Sequence, residues 1–217
     1  PIVFDLGCGV GGALFYLAQQ LRKPGQLFGL SISAKQIELA QQANRILNLQ
    51  DKCTFLEADF HALPQSLPSA NLAYAIEAFV HAYDADRFFA GLAEKLQEGG
   101  RLVIIDDFLT EKKNLDREEK AAIARFEYGW VLGSLYPVNV VTAKARENGL
   151  ERIKNLDLTP YLSVFTLKER LIRFYVRLMR PVLKKSEYFK SLIGGDARQY
   201  CLQKGLIEYR MLVFEKK

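Results

Sequence analysis

The first residues whose types and spacing allow chemistry form a glycine-rich loop near the start of the chain. The loop follows a short apolar run, Pro1 to Leu6, and precedes a segment, Ala13 to Arg22, whose leucines recur at helical spacing. Its sequence is Asp5-Leu6-Gly7-Cys8-Gly9-Val10-Gly11-Gly12. Glycines between a strand and a helix let the backbone approach a ligand closely, at the edge of the sheet where open α/β folds bind nucleotides. The loop therefore predicts a nucleotide-like ligand.

Asp5 narrows the choice of ligand. A carboxylate at the end of an apolar strand is costly to bury unless a cation or a hydrogen-bond donor meets it. A nicotinamide dinucleotide would bring its pyrophosphate close to this negative charge and would need an acidic residue about 20 residues further on to bind its ribose. The second predicted strand instead ends in Gly29, Leu30 and Ser31, without an acid. Asp5 therefore favours a cationic ligand that lacks phosphate, namely S-adenosylmethionine.

Two histidines are the candidates for a general base, which methyl transfer to a hydroxyl requires within hydrogen-bond reach of the acceptor. His81 follows the fourth predicted strand and Asp107 ends the fifth, so this pair can form a base and its orienting carboxylate. The alternative is that His81 only caps the helical region that follows it. His61 is predicted to be a surface loop residue.

The sequence offers no set of residues suited to a metal. Asp106 and Asp107 are adjacent on a predicted strand and therefore point to opposite faces, so we do not expect them to chelate one ion. The cysteines, Cys8, Cys53 and Cys201, are far apart and odd in number, which excludes a disulfide framework and a structural zinc site. This pattern favours a reducing, cytoplasmic compartment.

The predicted elements alternate between strands and helices over the first half of the chain. We expect strands over residues 1–6, 27–30, 54–58, 72–76 and 101–105, and helices over 13–22, after the N-cap candidate Ser33, and over 86–97. The apolar face of the helix after Ser33 is expected to contain Ile37, Ala40, Ala43, Ile46 and Leu47. Strands that alternate with helices form a parallel sheet covered on both faces.

After Asp107 the pattern changes to longer helical segments. We expect helices over 112–130, 143–148 and 165–183 and another before Gly205, with strands over 153–158 and 208–215. We interpret residues 1–217 as a single domain. Residues 1–109 are its cofactor-binding core, 110–204 are a helical insertion and sixth strand that cover the acceptor, and 205–217 are the last strand.

The composition of the chain limits the structural classes to which it can belong. A chain of 217 residues with 49% hydrophobic and 25% charged residues has enough apolar material for a real core. No uninterrupted apolar run reaches the roughly 18 residues of a membrane span, and no secretory signal opens the chain, so we expect a soluble protein. The chain begins within a predicted strand and without a methionine, which indicates further residues before Pro1 in the gene product.

The loop and four later segments resemble class I methyltransferases. The first matches the D-x-G-x-G-x-G motif, and the others resemble segments of the small-molecule subgroup that acts on sterols, tocopherols and glycosylated natural products. The matching segments are Asp5 to Gly11, Gly29 to Ser33 with Gln36, Glu57 to Phe60 with Leu63 and Pro64, Tyr74 to Ala78 with His81 and Ala82, and Glu98 to Leu102. The resemblance implies an α/β fold with a doubly wound, mostly parallel Rossmann-like sheet and a helical lid inserted before a last, antiparallel strand.

The resemblance also implies roles for individual residues. Asp5 would hold the methionine part of S-adenosylmethionine together with the backbone of the loop, whose cofactor-binding positions are Gly7, Cys8, Gly9 and Gly11. Leu30 and Ser31 would meet the ribose and adenine, with Gln36 as a substitute for the acid that most class I enzymes carry there. Asp59 would accept from the adenine amino group, with Phe60 beside the ring. Glu77 would lie between cofactor and acceptor, where it stabilises a carbocation, or it would only bond backbone near the loop.

The acceptor is predicted from the second half of the chain. Aromatic side chains crowd the region expected to cover it, which suits a bulky, apolar metabolite such as a terpenoid, polyketide, sterol-like compound or alkaloid. They are Phe126, Tyr128, Trp130, Tyr136, Tyr161 and Phe165. Residues 168–190 form a basic amphipathic segment, interpreted as a lid over the substrate, with peripheral contact to an anionic membrane or a diphosphate as the alternative. We expect no nucleic-acid partner.

Two function classes follow. The first is a methyltransferase of a small, largely apolar metabolite that uses S-adenosylmethionine. The second is a noncatalytic protein that keeps the fold and binds a membrane or a protein partner through the basic segment. A nicotinamide oxidoreductase is disfavoured by Asp5 and Ser31.

Overall fold

Seven strands form one mixed sheet in the computed structural model, which describes residues 1–21, 25–162 and 187–217. The strands are β1 (Ile2–Leu6), β2 (Gln26–Ser31), β3 (Cys53–Glu57), β4 (Ala70–Ile76), β5 (Leu96–Leu109), β6 (Leu150–Asp157) and β7 (Ile207–Lys216). Their spatial order is β3-β2-β1-β4-β5-β7-β6. The first five pair in parallel, and β7 runs antiparallel to both β5 and β6. The predicted Rossmann-like sheet with a last, antiparallel strand is confirmed.

The helices flank this sheet. Over the described ranges they are α1 (Gly12–Gln20), α2 (Ala34–Ile46), α3 (Ala85–Lys95), α4 (Arg117–Trp130), α5 (Val138–Glu147) and α6 (Glu187–Gln203), with 3₁₀ turns at Phe79–His81 and Thr159–Tyr161. None of these helices is long and apolar enough to cross a membrane. The predicted helix over 165–183 and most of the basic segment 168–190 lie outside the described residues.

Side-chain caps explain where three helices begin. Ser33 accepts a hydrogen bond from the Gln36 backbone N–H, as predicted, and Asp84 caps α3 in the same way. Asp116 and Glu119 form a reciprocal capping box, in which each side chain accepts from the other residue's backbone. This capping box fixes the start of α4 at Arg117, five residues later than the pattern of apolar residues indicated.

Two apolar layers hold the sheet between the helices. One contains α3 and α5 and is rich in phenylalanine: Phe88 packs edge-on against both Phe79 and Phe89, with ring centroids 5.2 and 5.3 Å away. The other lies under α1 and α2. Ile46 and Leu47 were expected on the apolar face of α2, but they are 79% and 43% exposed. Ile46 is the last residue of α2 and Leu47 is its C-cap, so both lie beyond the last buried residue of the helix, Asn44.

α4 and α6 pack against each other through glycine. A Cβ on Gly129 would lie 2.5 Å from the Cα atom of Gly194, so the two backbones meet where neither residue has a side chain. Residues of both helices share one apolar cluster with Val80, which follows β4.

The phenylalanine layer predicts a large stability effect. Phe88→Ala should lower the free energy of unfolding by about 3–5 kcal/mol, because it leaves a cavity among well-packed rings. Urea denaturation measures this. Tyr16→Ala is the control, because Tyr16 is 68% exposed on α1, and its effect should stay within about 0.5 kcal/mol. Equal losses for the two variants would contradict the described packing.

Candidate functional site

A cavity of about 320 Å³ opens at the carboxyl ends of β1, β2 and β4. It brings together most of the predicted site residues from four separate segments of the chain. Its lining residues are Gly7, Gly9, Ser31, Ile32, Gln36, Asp59, Phe60, His61, Glu77, Ala78, His81 and Tyr83. Such a position, outside the ends of parallel strands, is where open α/β sheets bind their ligands.

The glycine loop forms the floor of this cavity. The φ angles of Gly7, Gly9 and Gly11 are 88°, 54° and 89°, in the left-handed region that favours glycine. A Cβ on Gly7 would approach the Cβ of Ala78 to 2.6 Å, whereas one on Gly9 would meet nothing within 4 Å. Gly7 must therefore be glycine for close packing, and Gly9 leaves open space for a ligand.

Leu30 and Cys8 take part through their backbones. The N–H groups of Gly7 and Cys8 both donate to the Leu30 carbonyl at 2.9 Å, which ties the loop to the end of β2. The side chains of Leu30 and Cys8 are buried and do not line the cavity. The predicted roles of Leu30 and Cys8 in cofactor binding stay predictions, and the backbone is the part of each residue that shapes the loop.

Asp5 lies beneath the loop as a buried carboxyl group. It is 4% exposed and accepts a hydrogen bond from the Tyr74 hydroxyl at 3.0 Å. Burial raises the pKa of Asp5 to about 7, and the bond from Tyr74 offsets only part of this. A cationic group that reached Asp5 would stabilise its ionised form.

Ser31 and Gln36 form one polar unit at the end of β2, where an acid is usual. The Ser31 hydroxyl donates to Gln36 Oε1 at 2.9 Å and accepts from the Ser33 backbone N–H at 3.2 Å. The carbonyl oxygen of the Gln36 amide is thereby engaged. Its NH₂ group remains as a donor toward the cavity, whereas a carboxylate would offer only acceptors.

His61 corrects the prediction of a surface loop residue. It is 7% exposed and lines the cavity, because Asp59 holds it by two hydrogen bonds, at 2.9 Å from the His61 backbone N–H and at 2.7 Å to Nδ1. The sequence signal was its position two residues after Asp59, at which an aspartate commonly accepts from the backbone N–H.

Glu77 follows β4 in a strained backbone conformation. Its φ is 51°, which is uncommon for a residue with a side chain and is typical of functional sites. Its N–H donates to the Ile105 carbonyl, and its Oε1 accepts from the Tyr209 hydroxyl at 3.3 Å. The carboxylate is exposed at the cavity. β7 therefore reaches across the sheet to hold a residue of the β4 loop.

Asp107 does not bond to His81, so the structure contradicts the predicted pair of base and orienting carboxylate. Asp107 accepts two hydrogen bonds from Arg198 of α6, at 2.5 and 3.1 Å, in a buried ion pair. The Arg198 guanidinium also lies 5.6 Å from the ring centroids of Trp130 and Tyr209. His81 Nδ1 lies 3.3 Å from the Val131 carbonyl, and His81 remains exposed at the cavity without a carboxylate partner among the described residues.

Asp106 points to the other side of the sheet from Asp107, as the alternation of a strand requires. It is 1% exposed and accepts from the backbone N–H groups of Val80 and Asp107. Burial raises the pKa of Asp106 to about 7 despite those two bonds. Asp106 thus fixes the 3₁₀ turn that contains His81, and Asp107 fixes helix α6.

Arg198 and Tyr209 are the functional neighbours that sequence reasoning missed. Both come from the last part of the chain, about 90 and 130 residues from their partners. No local pattern marks them, because their contacts depend on how α6 and β7 return to the sheet.

A second, larger cleft of about 600 Å³ lies between α5 and the antiparallel strands β6 and β7. It contains none of the predicted site residues. Arg152 and Arg210 line it, and their guanidinium groups bond Thr142 and Asn155.

The buried acids predict how stability depends on pH. Asp5 and Asp106 have pKa values of about 7 in the folded protein and 3.8 as the ordinary value, so the folded state binds more protons between these limits. The free energy of unfolding should therefore fall as pH rises from about 5 to about 8, by at least about 1 kcal/mol. Urea denaturation across this range measures it.

Matched variants show which carboxyl groups cause this pH dependence of the free energy of unfolding. Asp106→Asn should flatten the decline, because an amide does not ionise. Asp51→Asn, at an exposed position, should retain it. A decline of the same size in Asp106→Asn and in Asp5→Asn would contradict the assignment to these carboxyl groups.

Comparison with known proteins agrees with this geometry. A family model described as "Methyltransferase domain" matches residues 2–136. Methyltransferase GfsG of Streptomyces halstedii is 32% identical over 158 residues, which are 72% of this chain and 55% of that protein. The 24-methylenesterol C-methyltransferase 2 of Oryza sativa subsp. japonica is 31% identical over 157 residues, 72% of this chain and 43% of that protein. The chain thus spans roughly half the length of the curated relatives it matches.

Solved structures share the fold over the whole chain. Geranyl diphosphate C-methyltransferase from Streptomyces coelicolor A3(2), in complex with Mg²⁺, geranyl diphosphate and S-adenosyl-L-homocysteine, superposes with a TM-score of 0.74 at 16% identity and covers 100% of this chain and 73% of that one. An O-methyltransferase from a Brevibacillus brevis polyketide multienzyme, with S-adenosyl-L-homocysteine, gives 0.73 at 19% identity, covering 99% and 66%. Family model, relatives and fold agree: the chain belongs to the methyltransferase-domain family, the class I methyltransferases whose cofactor is S-adenosylmethionine.

Proposed function

We propose that this protein transfers the methyl group of S-adenosylmethionine to a bulky, largely apolar small molecule. One observation carries the proposal: a single cavity, floored by the glycine loop, is lined both by a cofactor-type carboxylate, Asp59, and by the exposed, chemically active side chains of Glu77 and His81.

The residues around the loop fit S-adenosylmethionine. Asp5 is a buried carboxyl group whose one hydrogen-bond partner within the described ranges is the Tyr74 hydroxyl, so the cationic methionine part of the cofactor would compensate its charge. The NH₂ group of Gln36 donates to the ribose hydroxyls in place of the usual acid. Asp59, with its side chain 40% exposed, accepts from the adenine amino group. Phe60 lies beside the adenine ring.

Transfer itself requires little beyond alignment. S-adenosylmethionine supplies an electrophilic methyl group, and the protein must place the acceptor in line with it. His81 accepts the proton when the acceptor is a hydroxyl, through the ring nitrogen that does not face Val131. Glu77, fixed by Tyr209, places a negative charge beside the reacting atoms, where it stabilises positive charge that develops on the acceptor.

The mouth of the cavity favours an apolar acceptor. Ile32 and Tyr83 line it and are 73% and 62% exposed, and Val131, which contacts His81, is 77% exposed. Large apolar side chains at such exposure mark a surface that binds other apolar groups. The names of the relatives, sterol and geranyl diphosphate methyltransferases, support the same class of acceptor.

Gly7 tests the cofactor site. Gly7→Ala should weaken binding of S-adenosylhomocysteine by at least about tenfold, because the new Cβ collides with Ala78 and displaces the loop. Gly99→Ala is the matched control: Gly99 also has a positive φ, 71°, but its Cβ would meet nothing within 4 Å and it lies outside the cavity. Calorimetric titration should show parent-like affinity for the control. Equal loss of affinity in both variants would argue that strain alone, and not the loop's position, is responsible.

Activity is tested with S-adenosylmethionine that carries a deuterated methyl group. The protein is incubated with a panel of sterols, terpenoid alcohols, geranyl diphosphate and polyketides, and mass spectrometry detects a labelled methyl gain. On the acceptor so found, His81→Ala should lower kcat by about 100-fold or more while affinity for S-adenosylhomocysteine stays unchanged. Full turnover in His81→Ala would overturn its role as base. Methyl gain only on polar acceptors would overturn the proposed substrate class.

A further inference from the structure

His61 is a buried histidine placed directly behind Asp59. Its side chain is 3% exposed, whereas that of Asp59 is 40% exposed. The ring lies between two others: the ring centroid of Phe60 is 4.7 Å away and that of Tyr83 is 3.8 Å away. This packing prevents the imidazole from turning away from the carboxylate.

The partners of the two ring nitrogens define one tautomer. The Asp84 backbone N–H, at the cap of α3, donates to His61 Nε2 at 3.4 Å, so Nε2 accepts. Nδ1 therefore carries the proton and donates to Asp59 Oδ1 at 2.7 Å. The Asp84 backbone N–H and the Asp59 carboxylate thus hold the His61 ring in one orientation, with its Nδ1–H directed at Asp59.

The consequence for Asp59 is that its two oxygens differ. Oδ1 accepts from both the backbone N–H and the ring of His61, at 2.9 and 2.7 Å. Oδ2 makes no hydrogen bond with the rest of the described chain. Since a carboxylate oxygen only accepts hydrogen bonds, Oδ2 presents a single, oriented acceptor at the cavity.

We propose that His61 is a specificity-determining positioning residue: it holds Asp59 so that the cavity selects adenine over a base with a carbonyl at the same position. The inference rests on the proposed function, in which Asp59 accepts from the adenine amino group. An amino group donates to Oδ2, whereas a carbonyl oxygen would face it acceptor to acceptor. His61 has no nitrogen left for acid or base chemistry, which separates its role from that of His81.

Two ligands that differ only in the base measure this selection. S-adenosylhomocysteine and S-inosylhomocysteine, in which a carbonyl replaces the adenine amino group, are titrated calorimetrically into the parent protein. We expect the adenine compound to bind at least about tenfold more tightly, the effect of one hydrogen bond to a charged group. His61→Phe keeps an aromatic ring but loses the donor, and the preference should fall by about fivefold. The fall is partial because the His61 backbone N–H still holds Oδ1.

His61→Asn is the rescue variant, because its amide nitrogen takes nearly the position of Nδ1 and restores a donor. It should recover the preference for adenine although it lacks the ring. Tyr16→Phe, outside the cavity, is the control and should bind as the parent does. A purely structural role would lower both affinities and leave their ratio unchanged in all variants, which would overturn the inference. Failure of the parent to bind S-adenosylhomocysteine would instead overturn the proposed function.

The tautomer of His61 can also be measured directly in the parent protein, without any variant. In ¹⁵N-labelled protein with two histidines, long-range ¹H–¹⁵N spectra distinguish a protonated ring nitrogen from a bare one. His61 should show a protonated Nδ1 and a bare Nε2 near neutral pH. A proton on Nε2 alone would overturn the inference even if His61→Phe failed to fold.

Discussion

The Leu30 carbonyl is the point on which the site depends. It accepts from the N–H groups of both Gly7 and Cys8, so one oxygen fixes the loop after β1 to the end of β2. The same tie places the loop against Ala78 at the end of β4, with Asp5 sealed beneath it. Since these contacts are made by backbone, the sequence must supply glycines with left-handed φ rather than particular side chains. The cavity is what remains open above this arrangement.

Asp5, Asp59, Asp106 and Asp107 play different roles that depend on how deeply each is buried. Asp5 and Asp106 are buried with few partners, and burial raises both pKa values to about 7. Asp107 is buried too, but its ion pair with Arg198 makes it a clamp between β5 and α6. Asp59 remains partly exposed, and it lines the cavity. Environment, more than residue type, thus separates the structural carboxylates from the binding ones.

Sequence patterns predicted the first half of the fold and many of the residues that line the cavity, because that information is local. The glycine loop, Ser33 as a cap, and the order of strands and helices all follow from spacing over a few residues. Predictions failed where contacts are distant. The pairing of His81 with Asp107 was wrong because Arg198, 91 residues away, occupies the carboxylate. His61 was misplaced because two aromatic neighbours and the cap of α3 bury it. The extent of α4 depended on one capping box.

The position of β7 bears on how the protein forms during synthesis. β7 is the last strand of the chain, yet it lies between β5 and β6 in the sheet. β6 therefore emerges from the ribosome with no neighbour to pair with, and it waits for roughly 50 further residues, a few seconds at about 5–20 residues per second. Tyr209 reaches Glu77 only when that strand inserts. The nascent chain can thus assemble its glycine loop early, whereas the contact that holds Glu77 at the cavity forms only after β7 has been translated.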